Sequence, residues 1–219
     1  HSAQSIQLAK RLCPELIIVE PHFQRYKEVS AHLHEIFHEY TDLIEPISLD
    51  EAFLDVTENK KGIELAVDIA KEIKQRIYQT TGLTASAGVS YCKFIAKIAS
   101  DWRKPDGLTV IHPDRALDFI SRLKVDRIWG VGPKTAEKMH HMGIFTGLDL
   151  RNTPLNQLTE EFGKMGQVFY EFSRGIDSRP VISEWERKSV SCEQTFDNNI
   201  SDNSAVTIQL YHMVLNLVG

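Results

Sequence analysis

Two adjacent carboxylates, Asp50 and Glu51, lie between two short apolar runs, Leu43-Ile44-Glu45-Pro46-Ile47 and Phe53-Leu54-Asp55-Val56. The pattern predicts two short strands joined tightly, with the acids at the join. Neighbouring carboxylates repel, so a site that keeps both ionised usually supplies a cation. Hard oxygen donors suit Mg²⁺ or Mn²⁺ rather than zinc. The competing reading is a solvated acidic turn, the commoner fate of such residues. Lys104 is the next candidate. It stands at the end of a helical stretch, before the turn Pro105-Asp106-Gly107. A cation there serves either the helix C-terminus or a phosphate. A third candidate is Gly130-Val131-Gly132 with Lys134, just ahead of a helical stretch from Thr135 to Met142. This is the helix-hairpin-helix pattern: its glycines let backbone N–H groups crowd one phosphate oxygen, backed by the positive end of the next helix. Such a hairpin holds a nucleic-acid backbone without reading bases; a plain turn is the alternative. Phe162-Gly163-Lys164-Met165-Gly166 resembles it weakly and reads equally as a second backbone contact or an interhelix turn.

The elements that must position these groups follow from periodicity. Leu16-Ile17-Ile18-Val19 reads as a short buried strand. Tyr26, Val29, Leu33, Ile36, Phe37 and Tyr40 mark an amphipathic helix, and the histidines on or near it (His32, His34, His38) read as solvent-facing. Leu65, Ile69, Ile73 and Ile77 mark a second helix, stopped at Gly82. Thr84 to Ser90 alternates as a strand whose small residues admit a close approach. Strand, helix, hairpin, helix, strand is most of a ferredoxin-like (RRM-like) βαββαβ sheet, with both helices on one face and the acids on the open one. From residue 112 helices shorten and glycines become frequent. Pro180 to Arg187 reads as an exposed connector. Ser189 to Phe196 alternates as a strand, and Val206, Leu210, Met213, Val214 and Leu217 mark a last helix.

Composition excludes several classes. No apolar run approaches the roughly 18 residues of a membrane span. The three cysteines, Cys13, Cys92 and Cys192, are far apart and form no CxxC, which points to free thiols in a reducing compartment. Net charge is −5, not the footprint of a strongly basic nucleic-acid binder. Residues 1–111 carry 13 basic and 16 acidic side chains, and residues 112–188 carry 12 and 11. Any DNA contact is therefore local, made by oriented amides and a few cations.

Taken together, Ser48-Leu49-Asp50-Glu51-Ala52-Phe53-Leu54-Asp55, Ala85-Ser86-Ala87-Gly88-Val89, Lys93-Phe94-Ile95-Ala96-Lys97-Ile98-Ala99-Ser100-Asp101, Lys104-Pro105-Asp106-Gly107, Gly130-Val131-Gly132 and Arg174-Gly175-Ile176-Asp177, in that order, resemble the Y-family translesion DNA polymerases, closest to the bacterial DinB type. The resemblance implies an α+β chain: 1–22 the end of the fingers, 23–111 a ferredoxin-like palm lacking its first strand, and 112–178 a small all-helical thumb with the helix-hairpin-helix. Residues 179–187 would be a linker and 188–219 the start of an α/β little finger. Asp50 matches a metal-binding aspartate and Glu51 the glutamate beside the primer 3′-hydroxyl. Lys104 matches the lysine on the incoming triphosphate, while Gly130, Val131, Gly132 and Lys134 would meet the DNA backbone. The implied chemistry uses two Mg²⁺ ions, with Mn²⁺ an alternative. The implied partners are primer–template DNA, a dNTP and a sliding clamp bound through a tail beyond Gly219; no membrane is involved and the location is cytoplasmic. The family's first catalytic aspartate would precede His1, so this stretch alone is expected to be inactive. Two other classes compete. One is a non-catalytic DNA-backbone-binding protein with a relic palm, which would have no reason to keep Asp50, Glu51 and Lys104 together. The other is a nucleotide cyclase, against which the Gly130–Gly132 hairpin argues.

Overall fold

Apolar residues at every fourth position set the first long helices against each other. In the computed structural model, which describes residues 4–184, 186, 188–196 and 198–218, the short helix α1 (Ile6–Leu12) precedes α2 (Phe23–His38), and α3 spans Ala66–Thr81. Ile69, Ile73 and Ile77 of α3 are buried against Ile36 and Tyr40 at the end of α2. α3 stops where Gly82 takes a φ of 71°, a conformation that costs a glycine little.

Between these helices runs the hairpin. β1 (Ile44–Pro46) pairs antiparallel with β2 (Ala52–Leu54), Ile44 opposite Leu54 and Pro46 opposite Ala52. β3 (Ala87–Val89) and β4 (Leu108–Val110) form a parallel pair, with Ala87 opposite Leu108. A parallel pair needs a crossover, which α4 (Lys93–Asp101) supplies. A Cβ on Gly88 would lie 2.0 Å from the carbonyl oxygen of Ala96. Gly88 of β3 therefore admits helix α4.

Two expected strands are not formed. Leu16–Val19 is unpaired and exposed (Ile17 is 84% exposed), and residues 189–196 contain no strand. A strand exists only through its ladder, and among the described residues neither segment has a hydrogen-bonding neighbour. Conversely β4 has no alternation long enough to read, and it is specified by its pairing with β3.

The helical part follows: α5 (Pro113–Arg122), a 3-10 turn at Val125–Arg127, α6 (Pro133–His141), α7 (Gly147–Asn152), α8 (Leu155–Phe162) and α9 (Lys164–Phe172). Its core holds Ile120, Leu123, Met139, Leu150, Leu158 and Phe169, and also takes in Phe94, Ile95 and Ile98 of α4. The rings of Phe94 and Phe172 stack at 4.0 Å. α4 thus packs on β3 through Gly88 and on the helical core through Phe94. These elements belong to one unit, His1–Ser183. The second unit, Glu184–Gly219, contains α10 (Asn203–Val218). Its start is fixed by Asp202, whose carboxylate accepts from the Ser204 and Ala205 N–H groups. Among the described residues no helix is long and apolar enough to cross a membrane.

Candidate active site

The β1–β2 turn is closed through the backbone of Glu51, whose carbonyl accepts from the N–H groups of Ile47 (2.8 Å) and Ser48 (3.2 Å). Alternation then decides the side chains. Phe53 turns inward and its ring meets Trp129 at 5.6 Å, while Asp50 is exposed. Ser48 Oγ donates to Asp50 Oδ1 at 2.6 Å. Glu51 accepts at Oε1 from Lys97 Nζ at 2.7 Å. Lys97, on α4, also lies 4.0 Å from Asp101 one turn on, and Asp101 accepts from Lys104 Nζ at 2.6 Å. The result is a chain of alternating charge, Glu51–Lys97–Asp101–Lys104. The Asp101 hydrogen bond, opposed by partial burial and aided by the charges of Asp101, Glu51 and Asp50, holds the Lys104 ammonium above its ordinary range.

Asp50, Glu51, Lys97 and Lys104 line one cleft of about 910 Å³, with Ala87 to Ser90 along its wall. The cleft therefore takes in Asp50, Glu51 and Lys104, while the other residues singled out in the sequence, Gly130, Val131, Gly132 and Lys134, do not line it. Lys97 and Asp101 carry no role in the sequence reading. Their signal is the i, i+4 spacing of opposite charges on one helix face. As donors, the Asp50 and Glu51 carboxylates and the Ser48 hydroxyl are hard oxygens of the kind that holds Mg²⁺. Among the described residues no three His, Cys, Asp or Glu side chains gather as a metal-holding cluster.

The second candidate region opens α6. Gly130 has a φ of 90°, Gly132 caps the helix, and Pro133 occupies the first turn, where no N–H is required. A Cβ on Gly132 would meet nothing within 4 Å, so nothing in the fold demands glycine there. Lys134 is exposed. The Phe162–Gly166 turn behaves differently. A Cβ on Gly166 would lie 2.1 Å from the Leu158 carbonyl oxygen. That glycine lets α8 and α9 touch, which is the interhelix-turn reading.

Asp177, which in the sequence marks only the end of a helix, carries more. Its side chain is 1% exposed; Oδ2 accepts from the Phe94 N–H (2.9 Å) at the start of α4, and Arg179 grips both carboxylate oxygens at 2.6 and 2.8 Å. Burial pushes this carboxyl up, but Arg179 and the Phe94 N–H outweigh it and leave it below the usual range. Glu45 on β1 accepts from Lys93 Nζ (2.6 Å) and from the Ile182 N–H (2.8 Å). The segment after α9 is thereby bonded to the hairpin that carries the acids.

This arrangement can be set beside known proteins. Residues 1–101 match the impB/mucB/samB family model, and residues 126–177 match a DNA polymerase-iota thumb domain model. A crystal structure of DinB from Sulfolobus solfataricus superposes with a TM-score of 0.74 at 32% identity, covering 80% of this chain and 52% of that one. A Y-family DNA polymerase chimera of Dbh and Dpo4 gives 0.85 at 30%, covering 97% and 62%. The chain is thus similar over nearly its whole length to the Y family of DNA polymerases. Within it, the curated relatives are of the DinB type: DNA polymerase IV of Bacteroides fragilis (strain YCH46) is 61% identical over 218 residues, and that of Akkermansia muciniphila is 53% identical over 219. These alignments take in all of this chain but only 60% and 61% of the relatives' own lengths.

Proposed function

We propose that this chain supplies palm and thumb residues of a DNA-directed DNA polymerase of the error-prone translesion type, which as a complete polypeptide transfers dNMP from a dNTP to a primer 3′-hydroxyl, while this stretch alone is inactive. The observation that carries the reading is the meeting of Asp50, Glu51 and Lys104 in one cleft. Phosphoryl transfer asks for positioning and charge compensation rather than a covalent nucleophile, and these three residues have the matching chemistry. Two Mg²⁺ ions, when bound, would activate the primer hydroxyl and neutralise the leaving pyrophosphate. Asp50 supplies an exposed carboxylate already oriented by Ser48. Glu51 reaches the cleft from the adjoining position and is held by Lys97. Lys104 offers its ammonium to the triphosphate. The N–H groups of Gly130, Val131 and Gly132, with the Lys134 charge, take a phosphate of the duplex without regard to sequence.

The domain reading that fits is 1–22 as the end of the fingers and 23–111 as palm. Residues 112–178 form the thumb, 179–187 the linker and 188–219 the start of the little finger. The shared core of α4 and the helical part supports a palm and thumb packed directly on one another. The named activity of the relatives supports primer–template DNA and dNTP as partners; a sliding clamp and a cytoplasmic location complete the proposal. The competing reading, a DNA-binding protein with a relic palm, predicts duplex binding without synthesis. Mg²⁺-dependent primer extension on a primed template, measured on the complete polypeptide, separates the two: extension supports the polymerase, and binding without extension overturns it.

A further inference from the structure

Lys104 opens a turn that is held by a residue remote in sequence. The Lys104–Pro105 peptide is cis and Asp106 has a φ of 55°, a left-handed conformation uncommon for residues other than glycine. Lys74, on α3 and 32 positions away in sequence from Asp106, reaches under this turn. Its ammonium donates to the Asp106 carbonyl (2.6 Å), to Asp106 Oδ1 (2.7 Å) and to the Gly107 carbonyl (3.2 Å). Three donors thus meet three acceptors, which is the full capacity of an ammonium group. The Lys74 side chain is 15% exposed, so these bonds are partly withdrawn from water. On the opposite side Ser86 Oγ accepts from the Gly107 N–H at 3.0 Å. Gly107 packs closely on the end of α4, where a Cβ would lie 2.3 Å from the Arg103 carbonyl oxygen.

We infer that Lys74 is a positioning residue: it clamps the Asp106–Gly107 backbone from beneath and so fixes the angle at which Lys104 meets the triphosphate of the incoming nucleotide. The inference rests on the proposed role of Lys104 and extends it to a residue outside every recognised motif. A lysine placed only for surface charge would pair with the Asp106 carboxylate alone. The two bonds to successive carbonyls tie it to the turn's geometry. Bound this way, Lys74 has no donor left for a ligand, and it acts through Lys104.

The test is a double-mutant cycle on the complete polypeptide with primed DNA. It reads dNTP binding by titration with Ca²⁺ in place of Mg²⁺, so that no turnover intrudes. Lys74→Met is expected to weaken dNTP binding about tenfold, the scale of a small misplacement of a binding group. DNA affinity should stay unchanged, and Lys74→Arg should restore part of the loss. Lys74→Met combined with Lys104→Ala should bind dNTP no more weakly than Lys104→Ala alone, because the clamp has nothing left to aim. A fully additive double variant, or Lys74→Met with wild-type dNTP affinity beside a weakened Lys104→Ala, overturns the inference. Wild-type affinity in Lys104→Ala overturns the role of Lys104 and this inference with it. If Lys74→Met folds poorly, Lys74→Gln, which removes the charge and shortens the reach to the Asp106 and Gly107 carbonyls, carries the same cycle with the same outcomes.

Discussion

Replacing Asp177 by asparagine tests how α4, the helix that brings Lys97 to the acids, is held to the helical core. The aspartate performs two tasks: it caps α4 through the Phe94 N–H and it grips Arg179 with both oxygens. Asparagine keeps an acceptor for the cap, so that contribution, about 1 kcal/mol, is largely retained. The bidentate charge pair is lost. Breaking a buried pair costs roughly 3–5 kcal/mol, but the Arg179 side chain is 46% exposed and stays over the Trp129 ring at 4.6 Å, so it is only partly stranded. A destabilisation of about 2 kcal/mol is therefore expected at neutral pH. Urea unfolding of both proteins across a pH series measures it. Because the folded-state carboxyl lies below its usual range, its contribution is complete above the unfolded value, near 3.9. It fades as pH falls through the folded value. The stability gap between the wild type and the Asp177→Asn variant should be constant from pH 7 to about 5 and narrow below about 4. A gap that is absent at pH 7, or that widens with acid, would refute the reasoning.

Other outcomes follow from the same geometry. Gly166→Ala drives a Cβ into the Leu158 carbonyl and should destabilise the protein by about 1–3 kcal/mol in thermal or urea unfolding. Gly132→Ala meets open space, so its Tm should match the wild type while duplex DNA affinity falls, because the methyl group stands where a phosphate would approach. Lys134→Ala should weaken DNA binding equally across sequences and reduce the slope of log K against log salt by about one. Iodoacetamide at pH 8 should label exposed Cys13 well before Cys92, whose thiol burial pushes up.

The residues legible in the sequence are those governed by local rules. The α3 core positions obey a four-residue step, the hairpin alternates, and Gly82 ends a helix. Asp50, Glu51 and Lys104 stand out because acids at a strand join and a lysine at a rigid turn are local patterns. What stays hidden depends on contacts remote in sequence. β4 is three residues long and acquires meaning only from β3 across the α4 crossover. Leu16–Val19 has a strand's composition, but a ladder is a relation between segments, and composition does not create a partner. Asp177 reads as a helix end because the Phe94 N–H that it caps is 83 positions away. Lys74 reads only as a polar position on an amphipathic helix, since its acceptors are 32 and 33 residues distant.

Asp50 and Glu51, the acids at the hairpin turn, are put to the test by single-turnover dNMP incorporation on primed DNA by the Asp50→Asn and Glu51→Gln variants of the complete polypeptide. The rate should fall on the order of 10²–10³-fold or more for each, the scale of removing a group that meets transition-state charge, with duplex affinity unchanged. Incorporation at the wild-type rate by either variant would contradict the role proposed for the two acids.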